Sequence, residues 1–197
     1  MNTVEPIKTR AQVEQMKSVL KARSERDYTL FVLAVNTGFR VGDLLALKVG
    51  DVLAGKGTRL LISQDLTVRE QKTRKPRRVV LNRAARLALR RYIAGRGGRL
   101  ALSEPLFISR KRGKNGEKRA ITRVQAWRQL ARAARACGIE KFGTHSMRKT
   151  FGYFHYKSGQ PLEEIQKIFN HTSPAITLYY IGITQEILDK SYKDVEI

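Results

Sequence analysis

The sequence predicts a mainly helical α+β domain with a small three-stranded antiparallel sheet at its edge. Three observations lead there. Capped helical stretches fill the first 50 residues and the final third, strand-like stretches occupy about residues 59 to 81, and no repeat, low-complexity tract or Pro/Ser-rich linker divides the chain. A length of 197 residues suits a single domain with a proper core, so residues 1–197 are read as one unit.

Each element has its own signal. Thr9 with Gln12 makes a capping-box pattern that opens the first helix, and Ser24 stands before a run from Glu25 to Thr37 that Gly38 closes. A short third helix follows. From Thr58 the pattern turns strand-like over Arg59 to Ser63, Thr67 to Gln71 and Arg77 to Leu81, with polar turns between and Pro76 in one of them. Asn82 caps a helix reaching about Ala94 and ended by the Gly97-Gly98 pair. Thr122 with Gln125 opens another, in which Val124, Trp127, Leu130, Ala131 and Ala134 share a face, an arrangement that puts Trp127 in the core. The final third reads as short helices: Ser146 to Lys157 before Gly159, Leu162 to Phe169 after Pro161, Pro174 to Tyr180 after Ser173, and a tail helix near Gln185 to Tyr192.

Charge narrows the function. Thirty-nine Lys and Arg against 17 Asp and Glu give +22, a surplus that repels itself in a compact fold unless a polyanion is nearby. Nucleic acid is the leading partner. The segment from Arg69 to Arg119 alone carries 18 Lys and Arg against Glu70, Glu104 and Glu117. Arg69, Arg74, Lys75, Arg77 and Arg78 on the strand pair, and Arg110, Lys111, Arg112 and Lys114 in a loop or hairpin too polar to pack inward, are the candidate phosphate contacts. The longest apolar run, Leu30 to Val35, is six residues, so no bilayer span or signal-peptide core is expected. A single cysteine, Cys137, and three scattered histidines offer neither an internal disulfide nor zinc spacing. These features fit a reducing, cytoplasmic setting.

Chemistry concentrates in three stretches. Thr144-His145-Ser146-Met147-Arg148 starts a helix and sets His145 and Arg148 three residues apart on one face. By itself His-x-x-Arg is a weak signal. It gains weight from Asn170-His171, nine residues ahead of Tyr180, and from Thr37-Gly38-Phe39-Arg40-Val41-Gly42-Asp43, where an arginine follows a helix-ending glycine.

These residues resemble the catalytic domain of the tyrosine recombinases, the phage-integrase family, over about residues 10 to 185. Four blocks carry the likeness in the family's order: Thr37 to Leu47, the hairpin Gln71 to Leu81, Thr144 to Thr150, and Gly159 to Tyr180. The resemblance implies that Arg40 is the first catalytic arginine, Lys72 the hairpin lysine, His145 and Arg148 the His-x-x-Arg pair, His171 the second histidine and Tyr180 the nucleophile. Asp43 matches a supporting acidic position. Lys75 competes with Lys72 for the acid role, and Lys72 is preferred because it precedes Thr73 as in the family's hairpin. Tyr179 competes with Tyr180 and lies about 100° away on the helix, so only one faces the arginines; the spacing selects Tyr180 and leaves Tyr179 to pack.

The implied function is site-specific DNA recombination, with cleavage and rejoining through a 3′-phosphotyrosine link. Two guanidiniums and imidazole donors suit the extra negative charge on five-coordinate phosphorus, and no cofactor or metal ion is required. The implied partners are double-stranded DNA, further copies of the chain as a tetramer on two sites, and accessory DNA-binding proteins, in association with the nucleoid. Rival readings are a nicking-closing topoisomerase and a DNA-binding protein that does not react. Two departures stand out. Asn170 replaces a glycine and Lys149 a histidine, and Asn tolerates the left-handed conformation glycine would supply. Only about nine residues precede the first helix, so the N-terminal core-binding domain of most members is expected to be absent, in a naturally minimal recombinase or a shortened chain. The acidic tail, 185–197, is a candidate for docking on a neighbouring copy.

Overall fold

The computed structural model describes residues 4–54, 61–72, 74–98 and 100–183. The expected tail helix and the docking segment 185–197 lie outside them. The described residues form eight α-helices and one two-stranded sheet: α1 Arg10–Arg23, α2 Glu25–Thr37, α3 Val41–Leu45, β1 Asp65–Arg69, β2 Pro76–Val80, α4 Arg83–Gly95, α5 Arg123–Ala136, α6 Ser146–Lys157, α7 Leu162–Phe169 and α8 Pro174–Ile181. A short 3₁₀ turn spans Val49–Asp51.

Helix starts follow the capping chemistry. The side chains of Thr9, Ser24, Asn82, Thr122 and Ser173 each accept a hydrogen bond from an N–H of the first turn. Three stops are left-handed, Gly38 at φ 62° after α2, Asn170 at φ 56° after α7 and Gly182 at φ 77° after α8. The Asn170 carboxamide therefore replaces glycine without loss of the turn.

The main core surrounds α2, whose Leu30, Phe31, Leu33 and Ala34 are fully buried as it packs on α1, α4, α5 and α6. A second, smaller cluster of Phe151, Ile165, Phe169, Ile181 and Ile183 joins α6, α7 and α8, with Tyr180 packed on its edge. This cluster seats α8 beside α6.

Three sequence expectations need correction. The sheet has two strands, paired from Asp65↔Val80 to Arg69↔Pro76. β1 begins at Asp65, which leaves only Gln64 after the stretch 61–63, too little for a hairpin reversal. That stretch pairs with 52–54 instead, through a single bridge, Leu53↔Ile62. Second, Trp127 is 42% exposed and Val124 also faces solvent. The buried face of α5 is set by Ala126, Leu130, Ala133 and Ala134, and Trp127 lies about 100° from Ala126. Third, Tyr179 does not pack; it is 71% exposed.

Candidate active site

Backbone turns deliver the key side chains. Gly38 ends α2 in the left-handed region, and Phe151 of α6 lies against it so closely that a Cβ would sit 2.6 Å from its ring. The chain then rises to Arg40 at the start of α3. One turn on, Asp43 is 2% exposed and its Oδ1 accepts the Gln71 N–H at 2.9 Å. That bond ties the turn of the β1–β2 hairpin to α3, with Lys72 next in the turn.

His145 stands at the N-cap of α6, and Arg148 follows one turn later, buried. Arg148 Nη1 donates to the Gly38 carbonyl and Nη2 to the Phe169 carbonyl at 3.4 Å, with the guanidinium 4.6 Å over the Phe169 ring. One arginine thus joins the end of α2 to the end of α7. Arg40, Val41, Gly42, Gln71, Lys72, Arg123, Thr144, His145 and Arg148 line a cavity of about 510 Å³.

Tyr180 reaches this group from α8. Its hydroxyl lies 3.2 Å from His145 Nδ1, and its ring meets the His171 ring edge-on at 5.0 Å. His171 is oriented in turn by Thr177, whose Oγ1 is 3.1 Å from Nδ1. Lys149 Nζ lies 5.3 Å over the Tyr180 ring and donates to the Val4 carbonyl at 2.8 Å. The residue that replaces the family's histidine therefore braces Tyr180 from behind.

The electrostatics are set by burial against crowded cations. Burial pulls Arg148 down to about 10, still fully charged at neutral pH. His145 is lowered by burial and then by Arg148, Arg40, Lys149 and Arg123, so its imidazole is neutral near pH 7. His171 is lowered by burial and then by Arg148 and Arg40. Burial raises Tyr180 above the usual phenol value although Arg148 and Arg40 pull the other way. The tyrosine is thus a protonated phenol beside a neutral imidazole. Arg40 Nη1 is buried and faces carboxylates, 3.2 Å from Glu70 Oε2 and 4.0 Å from Asp43 Oδ2, as ion pairs without hydrogen-bond geometry.

Comparison with known proteins matches residues 8–186 to the phage integrase family model. The chain belongs to the phage integrase family. As a member it is 35% identical over 193 residues to the probable integrase/recombinase YoeC of Bacillus subtilis (strain 168), spanning 98% of this chain and 97% of that protein. It is 28% identical to the tyrosine recombinase XerA of Pyrococcus furiosus, across 93% of this chain and 59% of XerA. Among solved structures, XerA recombinase superposes with a TM-score of 0.74 at 21% identity, covering 98% of this chain and 64% of the other. XerH bound to palindromic difH gives 0.71 at 18% identity, covering 98% and 52%. These likenesses establish the integrase fold for this chain.

Of the expected site residues, Arg40, Lys72, His145 and Arg148 line this cavity, Asp43 holds Gln71 beside it, and Tyr180 meets both His145 and His171. The expected cations divide. Arg69, Arg74, Lys75, Arg110, Lys111, Arg112 and Lys114 are exposed, and Arg78 is exposed but paired with Asp65. Arg77 turns inward: it donates to the Thr37 carbonyl at 2.6 Å and lies 4.5 Å over the Phe39 ring. Two neighbours of the site were not singled out by sequence. Arg123 looks like an ordinary first-turn residue, and only the fold shows its guanidinium against Gly42, within 2.9 Å of where a Cβ would stand. Glu70 did leave a signal, as a lone acid in a basic stretch.

Proposed function

We propose that the chain performs site-specific DNA recombination by breaking and rejoining one strand through Tyr180. The Tyr180 oxygen attacks the scissile phosphorus, and His145 takes the phenolic proton. The bond to the 5′ oxygen breaks, and Lys72, on its exposed hairpin turn, gives that oxygen a proton. A 3′-phosphotyrosine link remains. Arg40 and Arg148 face the charge that builds on the non-bridging oxygens, His171 adds a donor, and Asp43 holds Arg40 and the hairpin. Attack by the freed 5′ hydroxyl of a partner duplex reverses the step, and the stored ester bond makes a high-energy cofactor unnecessary.

The single observation that carries this reading is the 3.2 Å approach of His145 Nδ1 to the Tyr180 hydroxyl, within one chain, next to Arg148. Double-stranded DNA is the substrate, contacted by the exposed cations of the hairpin and of the loop 110–114. Four copies on two sites form the working unit, which accessory DNA-binding proteins assist, near the nucleoid. In support, solved relatives include a lambda integrase dimer bound to a COC' core site and XerH bound to difH.

The test is a nicked suicide duplex, from which the cleaved end diffuses away and traps the protein on DNA. The unaltered chain is expected to form a covalent adduct; Tyr180→Phe forms none and binds the duplex as before. An adduct from Tyr180→Phe, or its loss in Tyr179→Phe instead, overturns the assignment.

A further inference from the structure

Glu70 is the last residue before the hairpin turn and is only 6% exposed. Its carboxylate lies 3.2 Å from Arg40, 3.6 Å from Arg77 and 3.9 Å from Arg148. Its backbone closes the turn: the Glu70 N–H donates to the Lys75 carbonyl at 3.0 Å and its carbonyl accepts the Arg74 N–H at 2.8 Å. Arg74 takes φ 58° there, a conformation that costs a non-glycine residue energy and persists only when its surroundings hold it. The next residue, Gln71, is bound to Asp43 and to the Gly42 carbonyl.

Three guanidiniums so close together, Arg148 buried and Arg40 and Arg77 partly so, repel one another, and taking charge out of water is costly unless a counter-charge is close. From the observed contacts we infer that Glu70 is a positioning residue for strand cleavage, a counter-charge that holds Arg40 and Arg148 at one spacing and locks the Lys72 hairpin to them. It is not a catalytic residue. A carboxylate repels the phosphodiester, so its contribution passes through the arginines it holds. Arg77 serves the same clamp from below, which explains why this one cation of the hairpin points inward. The inference rests on the phosphotyrosine reading for its effect on rate, and on the arginine cluster alone for its effect on stability.

The experiment compares Glu70→Gln, which keeps shape and removes charge, with Glu70→Asp, which keeps charge and shortens reach. Adduct formation on the suicide duplex is followed as a single-turnover rate constant at saturating protein, which an inactive fraction does not alter. Affinity for the duplex is measured in the Tyr180→Phe background. Glu70→Gln is expected to lower the rate constant about 10²-fold, the cost of a misplaced reacting group, with affinity unchanged or tighter. Glu70→Asp recovers part of the rate. Thermal midpoints at low ionic strength are compared with and without inorganic sulfate, which supplies the missing counter-charge; the gain is larger in Glu70→Gln than in the unaltered chain. A Glu70→Gln rate within about twofold of the unaltered chain overturns the inference, as does an equal fall in rate and affinity for both variants. If the unaltered chain forms no adduct, the phosphotyrosine reading fails by itself. The sulfate comparison then decides on Glu70, and an equal gain in both proteins refutes the clamp.

Discussion

At the scale of single residues, the proposed cleavage depends on a proton passing from a phenol that holds it tightly to an imidazole that holds it weakly. Burial sets both values, raising Tyr180 and lowering His145. The sign follows directly. A base with a lowered value stays neutral down to more acid pH, so activity is lost only as pH falls below the ordinary histidine value near 6.5. The second-order rate constant for adduct formation at limiting protein reports the free chain, and its acid limb is expected to have a midpoint below 6.5. A midpoint at or above about 7, or a rise of about tenfold per pH unit through pH 8 and 9 as free phenolate accumulates, removes His145 as the base. Arg40, His145, Arg148 and Tyr180 were legible because each sits in a short stretch with its own signature. Arg123 left no signal, and the role of Glu70 could not be read from its basic surroundings, because Gly42 for the one and Arg40 and Arg148 for the other lie dozens of residues away and only folding brings them together.

At the scale of elements, Tyr180 is positioned by the small cluster between α6, α7 and α8, and Gly152 is its tightest point. A Cβ there would meet Phe169 at 2.6 Å and Ile181 at 2.7 Å. Gly152→Ala gains about 1 kcal/mol of helix propensity. Overpacking opposes this by about 1–3 kcal/mol. The net expectation is a loss of stability and a displaced α8, seen as a lower thermal midpoint and slower adduct formation with DNA affinity retained. A variant more stable than its parent would mean that α7 and α8 yield freely and that this packing does not place Tyr180. Helix limits were readable in advance, because caps act locally: Thr9, Ser24, Asn82, Thr122 and Ser173 all do what their side chains suggest. Facing directions were less readable. A stripe of alanines outcompeted Trp127 for the interior of α5, since small residues let helices approach closely, and a hydrophobicity pattern weights the larger side chain. The third strand failed on reach, a property of the chain between strands that β-propensity does not record.

At the scale of the whole molecule, a charge of +22 has to be divided between cations that hold the fold and cations that meet DNA. Within the basic segment, Arg77, Arg78, Arg96, Lys118 and Arg119 all have carboxylate partners. Apart from the exposed arginines of α4, Arg69, Lys72, Arg74 and Lys75 at the hairpin and Arg110, Lys111, Arg112 and Lys114 in the loop are exposed cations proposed to meet DNA. If all of these meet phosphates, the logarithm of the binding constant falls with the logarithm of salt at a slope of about −7, from about 0.9 per phosphate neutralised. The division makes a sharper prediction than the slope itself. Replacing Arg110, Lys111, Arg112 and Lys114 together by glutamine is expected to reduce its magnitude by about 3 to 4 without changing the thermal midpoint. Arg77→Gln is expected to do the reverse, lowering the midpoint and leaving the slope unaltered, because its guanidinium is spent on Thr37, Phe39 and Glu70. Binding measured from 50 to 300 mM salt on a duplex of fixed length separates the two, about the range over which phosphate contacts govern affinity. An unchanged slope after the fourfold replacement would remove the loop from the DNA interface and move its charge to some other anionic partner.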